Sequence, residues 1–232
     1  MIRVTLFGLA FGAWYADWAI TSVARRGSPG YCEYLREGAR ICMRRAATTL
    51  TIDGPLAQLR PGALCVSNHA SLLDIPLLEG YLPDAVGFVA KTELLRVPIV
   101  AHHMMALGSV TLDRSSSRAG LLVIRETADR LRAGHSMVLF PEGTRSHDGT
   151  PQPFKPGALK AAEWAPDAQV VPIAIRGTFE VLPRTSIFPQ RPGPIRLHIG
   201  APIEPDERRG LKAAPLADLV QSRIRAMWAE GK

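Results

Sequence analysis

Short apolar runs alternate with segments of helical period from residue 48 to the end of the chain, and no other feature constrains the fold as strongly. "TTLTIDG", "ALCVSN", "AVGFVA", "GSVTLDR", "SMVLF", "QVVPIAIRG" and "PIRLHIG" read as strands. "SLLDIPLLEGYL", "VPIVAHHMMAL", "SRAGLLVIRETADRLRAG", "ALKAAEWA" and "LADLVQSRIRAMWAE" read as helices between and after them. Such alternation predicts an α/β fold, with a mostly parallel or mixed sheet flanked by helices. The 232 residues suffice for one sizeable core. We expect a catalytic domain over residues 46–232, preceded by a helical segment over residues 1–45.

Ligands gather at the carboxyl ends of the strands in a sheet of this kind. Three polar clusters fall at such ends: "NHASLLD", "LDRSSS" and "FPEGTRS". Their convergence carries more weight than any one of them.

In the first cluster His69 and Asp74 are five positions apart, about 500° on an ideal helix, so they share no helical face. They meet only if His69 lies in the strand-to-helix loop and Asp74 in the first helical turns, with Ser71 as a natural cap. Asp74 would then accept a proton from one imidazole nitrogen and leave the other basic. No Gly-x-Ser-x-Gly elbow supplies a nucleophile, and Cys65 sits on an apolar strand as a core residue. A base without a protein nucleophile points to a hydroxyl on the substrate. In the third cluster Glu142 suits a hydroxyl and Arg145 offers a bidentate fork for phosphate or carboxylate; the alternative is a turn held by a salt bridge. Lys91 and Arg114 each follow an apolar strand, either as binding groups or as solvated strand ends.

The formal net charge of +7 and pI near 9.8 favour a polyanionic partner. Basic runs interleaved with aromatics are missing, which disfavours nucleic acid. Cys32, Cys42 and Cys65 form no Cys-x-x-Cys pair, and the histidines show no metal-triad spacing; we expect a reducing compartment and no metal.

Asp17 is the only formal charge in the largely apolar residues 4–24, with Arg3 before them and Arg25 and Arg26 after. As a helix they would reach roughly 31 Å, about one hydrocarbon thickness. Trp14, Tyr15 and Trp18 suit headgroup level, and Gly8 and Gly12 form a Gly-x-x-x-Gly pair that lets two helices approach closely. Three readings stay open: a membrane-embedded helix, a helix lying in the interface because Asp17 is costly in mid-bilayer, and a cleaved secretory signal, against which Asp17 and the odd cysteine count argue. In "YCEYLREGARICMRRAATT" Arg36, Arg40 and Arg44 recur along one side, suited to anionic headgroups or, alternatively, to a surface helix packed on the domain. Arginines after the apolar stretch place the domain on the cytoplasmic side.

Taken together, "NHASLLD", "GSVTLDR", "FPEGTRS" and "VVPIAIRG" resemble, in order, the four sequence blocks of the glycerolipid acyltransferases, over roughly residues 45 to 200. Within that family the chain is most similar to the bacterial 1-acylglycerol-3-phosphate acyltransferases. The resemblance implies a membrane-associated enzyme at the cytoplasmic face of an inner membrane, acylating lysophosphatidic acid from acyl-CoA or acyl carrier protein, with no cofactor. It makes His69 the general base and Asp74 its orienting partner. It places Asn68, Glu142, Gly143, Thr144 and Arg145 at the acceptor, with Arg145 on the phosphate. Arg114 joins the acceptor region, Lys91 resembles a second phosphate contact, and Pro172 shapes the acyl-donor side. Another lyso-lipid, such as a lyso-ornithine lipid, is the nearest alternative acceptor. A non-catalytic membrane lipid-binding protein and a soluble hydrolase are the alternatives of other classes.

Overall fold

Two helices lead into the sheet: α1 (Leu6–Ala24) and α2 (Tyr31–Ala46) precede β1 (Ala47–Asp53) and β2 (Leu64–Ser67). Then come α3 (Asp74–Tyr81), β3 (Val86–Lys91), α4 (Pro98–Ala106), β4 (Val110–Leu112), α5 (Ser117–Arg132) and β5 (Ser136–Leu139). The chain continues through α6 (Lys160–Trp164), β6 (Val170–Arg176), α7 (Thr178–Val181), β7 (Gly193–Ile199) and α8 (Ala213–Glu230). This computed structural model describes residues 6–25, 28–92, 98–112, 117–186 and 188–230.

The strands form one sheet in the order β1-β7-β6-β2-β5-β3-β4. All neighbours pair parallel except β6 and β7, so the sheet is mixed, as the alternation predicts. Every residue of β2, and all but the last of β6, is buried. That is the near-continuous apolar run expected of a strand covered on both faces. On one face Val171, Ile173 and Ile175 of β6 pack with Leu77 and Leu78 of α3 and with Ile195 and Leu197 of β7. On the other, Val170 and Ala174 meet Leu216, Val220 and Ile224 of α8. Helix α7 escapes sequence reading because "TFEV" is too short to show a period.

The N-terminal helices are docked on this body. Phe11 of α1 and Cys42, Met43 and Ala46 of α2 belong to the same core as Leu77 and Ile173. Among the described residues no helix is long and apolar enough to cross a membrane, and α1 does not stand alone as an embedded helix. It buries Gly8, Phe11, Trp18 and Ser22 along one arc, and Ser22 Oγ shares a 2.8 Å hydrogen bond with His103 Nε2 of α4. A Cβ at Gly12 would come within 2.7 Å of the Phe188 ring. That glycine therefore admits a side chain of its own protein and not a second helix, which corrects the reading of the Gly-x-x-x-Gly pair. The opposite arc of α1 carries Leu6, Leu9 and Ile20, exposed by 87%, 57% and 66%, with Asp17 as its one charge.

The arginine stripe of α2 has a different use from the one its spacing suggests. Arg36 Nε donates to Glu79 O at 3.3 Å, Arg36 Nη2 to Leu82 O, and Arg40 Nε to Gly80 O at 2.8 Å. These are carbonyls at and just beyond the last turn of α3, where a helix leaves acceptors unsatisfied and a cation is favoured. Arg40 and Arg44 also pair with Glu33 and Glu37 along α2. The stripe thus cements α2 to α3, and the expectation that it serves lipid headgroups is corrected for Arg36 and Arg40.

Candidate active site

Because β6, β2 and β5 are neighbours pointing the same way, the segments after them emerge side by side. After β2 the chain runs through Asn68 and His69 and enters α3 only at Asp74. This placement lets two residues five apart meet. His69 Nδ1 lies 2.8 Å from Asp74 Oδ2. The same Oδ2 accepts the N–H groups of Ala70 at 2.7 Å and Ser71 at 2.9 Å, and Oδ1 accepts the Thr178 hydroxyl at 2.6 Å. Asp74 is fully buried at the first turn of α3, where the helix dipole favours a negative charge. Surrounded by donors, the carboxylate acts as acceptor throughout, so Nδ1 carries the imidazole proton and Nε2 keeps its lone pair. Among the described residues Nε2 has no protein partner. The ring stacks on Phe140, with centroids 4.1 Å apart, which fixes its plane.

Ser71 does not cap α3 as its position suggests. The helix begins one turn later, and the Ser71 hydroxyl donates to Leu182 O at 2.8 Å while accepting the Leu73 N–H. Asn68, expected at the substrate, is buried and engaged on both sides of its amide: Nδ2 donates to Ile175 O and Oδ1 accepts Ile175 N–H, at 2.9 and 2.8 Å. These bonds lock the end of β2 onto β6, so the contacts of the Asn68 amide in this structure are with the scaffold.

The segment after β5 closes over His69. Glu142 Oε1 accepts the His69 N–H at 3.1 Å, and Ser146 N–H donates to His69 O at 2.7 Å. Two backbone groups of the histidine are therefore gripped by one loop. Between the two contacts the chain turns at Gly143, φ 74°, a left-handed conformation that suits glycine. Thr144 is exposed and Arg145 half-buried. Glu142 is itself buried, its Oε2 without a protein partner, and burial pushes its carboxyl up to about 8. Glu142 thus holds the His69 backbone, a contact the sequence did not disclose. Arg145 forms no ion pair with Glu142 or Asp148; its Nη1 is buried and unpartnered, and Asp148 Oδ1 instead takes Ser146, Thr150 and Gln152. The turn is therefore not one held by an Arg145 salt bridge.

The remaining predicted residues are more scattered. Lys91 ends β3 at the same edge of the sheet, in register with Leu112 of β4. Arg114 lies outside the described residues. Pro172 stands in the middle of β6 opposite Val66, with its ring against Gly200 on the α8 face, and is not gathered with His69. No rival nucleophile faces the imidazole among the described residues. Cys42 and Cys65 are buried, and burial pushes both thiols up to about 12, leaving them inert near neutral pH. Ser67 Oγ donates to the neighbouring Asn68 O.

Thr178 was missed by sequence reading, although its position just past an apolar strand beside β2 is the signal that marked the other clusters. Arg184, which donates to Arg145 O at 3.0 Å, left no such signal because a loop carries it in from far along the chain.

Known proteins resemble this chain in sequence and in fold. A family model described as Acyltransferase matches residues 49–176. A chloroplast 1-acyl-sn-glycerol-3-phosphate acyltransferase of Arabidopsis thaliana is 36% identical over 162 residues, covering 70% of this chain and 44% of that protein. A 1-acyl-sn-glycerol-3-phosphate acyltransferase of Helicobacter pylori is 38% identical over 101 residues, 43% of each chain. The matched region thus spans less than half the length of these relatives. The crystal structure of the 1-acyl-sn-glycerophosphate acyltransferase PlsC from Thermotoga maritima superposes with a TM-score of 0.78 at 26% identity, over 97% of this chain and 94% of that one.

Proposed function

Because this chain belongs to the acyltransferase family, we propose that it moves a fatty acyl group from a thioester, acyl-CoA or acyl carrier protein, to the hydroxyl of lysophosphatidic acid, giving phosphatidic acid. The observation that carries this reading is the His69–Asp74 contact at 2.8 Å, where among the described residues Nε2 has no partner and no protein nucleophile faces it. His69 Nε2 removes the proton as the acceptor oxygen attacks the thioester carbonyl, and Asp74 stabilises the imidazolium that forms. The tetrahedral adduct then collapses, breaking the carbon–sulfur bond. A thiolate, whose conjugate acid has a pKa of about 8.5, leaves without an acid to protonate it. One base therefore suffices. Thr144 and Arg145 bind the acceptor, Arg145 at its phosphate, while Lys91 and Arg114 belong to the same acceptor region.

The bilayer supplies the acceptor, and the outward arc of α1 is the proposed contact with it. Leu6, Leu9 and Ile20 there, with Leu72 three residues from His69 and Met105 on α4, are exposed apolar side chains. An interfacial helix buries such a face among headgroups while Asp17 stays near water. Arg25 and Arg26 after α1 favour the cytoplasmic face of an inner membrane.

The test is a panel. Purified protein in detergent, given an acyl thioester, is expected to acylate lysophosphatidic acid and to work poorly on monoacylglycerol and lyso-ornithine lipid. Preference for lyso-ornithine lipid would reassign the acceptor; thiol release that ignores every lyso-lipid would overturn acyl transfer.

A further inference from the structure

Three cations gather on residues 143–145. Arg145 brings its own guanidinium, with Nη1 buried and unpartnered. The Lys155 ammonium lies against Gly143, so close that a Cβ there would stand 2.7 Å from Nζ. Arg184 Nη1 donates to Arg145 O at 3.0 Å and lies 2.9 Å from His147 Nε2. None of the three pairs with a carboxylate among the described residues. Glu142, the nearest carboxyl in sequence, is held largely neutral at pH 7 by burial, and Asp148 is committed to its own turn. Burial, and after it the neighbouring Arg184, lowers the proton affinity of Arg145, with the Asp74 carboxylate opposing them as the smallest of the three influences.

Arg145 and Arg184 repel each other, and a group carrying about two negative charges offsets that repulsion better than a group carrying one. A phosphate monoester has that charge and three acceptor oxygens at neutral pH; a phosphodiester has one charge and two. Building on the acyl-transfer reading, we propose that Lys155 and Arg184 join Arg145 as the seat of a dianionic phosphate monoester on the acceptor. Selection of the acceptor by head-group charge then resides in this seat and not in the His69–Asp74 pair.

Kinetics with both substrates test the assignment. Lys155→Met and Arg184→Gln are each expected to raise the KM for lysophosphatidic acid about 10–100-fold, the usual worth of a hydrogen bond to a charged group, with the donor KM unchanged. Lys155→Arg restores most of the loss. A lysophospholipid whose phosphate is a diester should be a poor acceptor for the wild type and insensitive to these substitutions. Glycerol 3-phosphate supplies a readout without turnover: it should raise the melting temperature of the wild type and not of the variants. An unchanged acceptor KM in folded Lys155→Met, or a rise confined to the donor KM, would overturn the seat. Where Arg184→Gln fails to fold, Arg184→Lys and Lys155→Met still decide. If the wild type transferred nothing while glycerol 3-phosphate still stabilised it, the acyl-transfer reading would fail and the dianion seat would stand.

Discussion

Replacing His69 with alanine is expected to lower kcat by about 10²–10⁴-fold, the usual contribution of a general base, while the melting temperature barely moves. The ring is held by one hydrogen bond and one stacking contact, and it is partly exposed and not a core residue. Its backbone, which Glu142 and Ser146 grip, is retained in the variant. The loss should therefore be in chemistry and not in folding. Parallel measurement of kcat and thermal unfolding checks this, and normal turnover in a folded His69→Ala protein would remove His69 from the reaction.

Asp74→Asn is the second large effect, and its detail separates charge from shape. The amide oxygen can occupy the Oδ2 position and still accept His69 Nδ1–H and the N–H groups of Ala70 and Ser71. Its NH₂ then faces the Thr178 hydroxyl, which can rotate from donor to acceptor. The fold is thus expected to survive while the negative charge behind the imidazolium is lost. We expect kcat to fall about 10²–10⁴-fold, with acceptor and donor KM little changed. Asp74→Ala should instead lose stability, because two buried N–H groups and a hydroxyl go unpaired at about 1–3 kcal/mol each. A folded Asp74→Asn enzyme with wild-type kcat would leave Asp74 only as the clasp of the 69–74 loop.

These two residues were the most legible part of the sequence. A strand-length apolar run, a loop residue and a helix start together allow His69 and Asp74 to meet, and the strand alternation implies a mostly parallel or mixed sheet. The failures have a physical pattern. Asn68 and Glu142 carry polar side chains at strand ends, where ligand contact and scaffold contact look identical in one dimension. Only the strand order shows that Asn68 spends its amide on β6 and Glu142 its carboxyl group on the backbone of His69. Arg36 and Arg40 repeat with the period of a solvated stripe, yet the carbonyls at the end of α3 lie beside them, a neighbour 40 residues away that periodicity cannot see. Arg184 and Lys155 reach residues 143–145 through tertiary contact alone.

In the proposed reaction His69 activates the acceptor hydroxyl for direct attack, with no acyl group resting on the protein. Single-turnover quench of enzyme with labelled acyl thioester, followed by intact mass spectrometry, tests it most directly. Thiol release is expected to wait for the lyso-lipid, phosphatidic acid to form at the same rate as thiol, and the protein mass never to shift. A burst of thiol in the absence of acceptor, with an acyl adduct on a serine or cysteine that chases into product when the lyso-lipid is added, would contradict it.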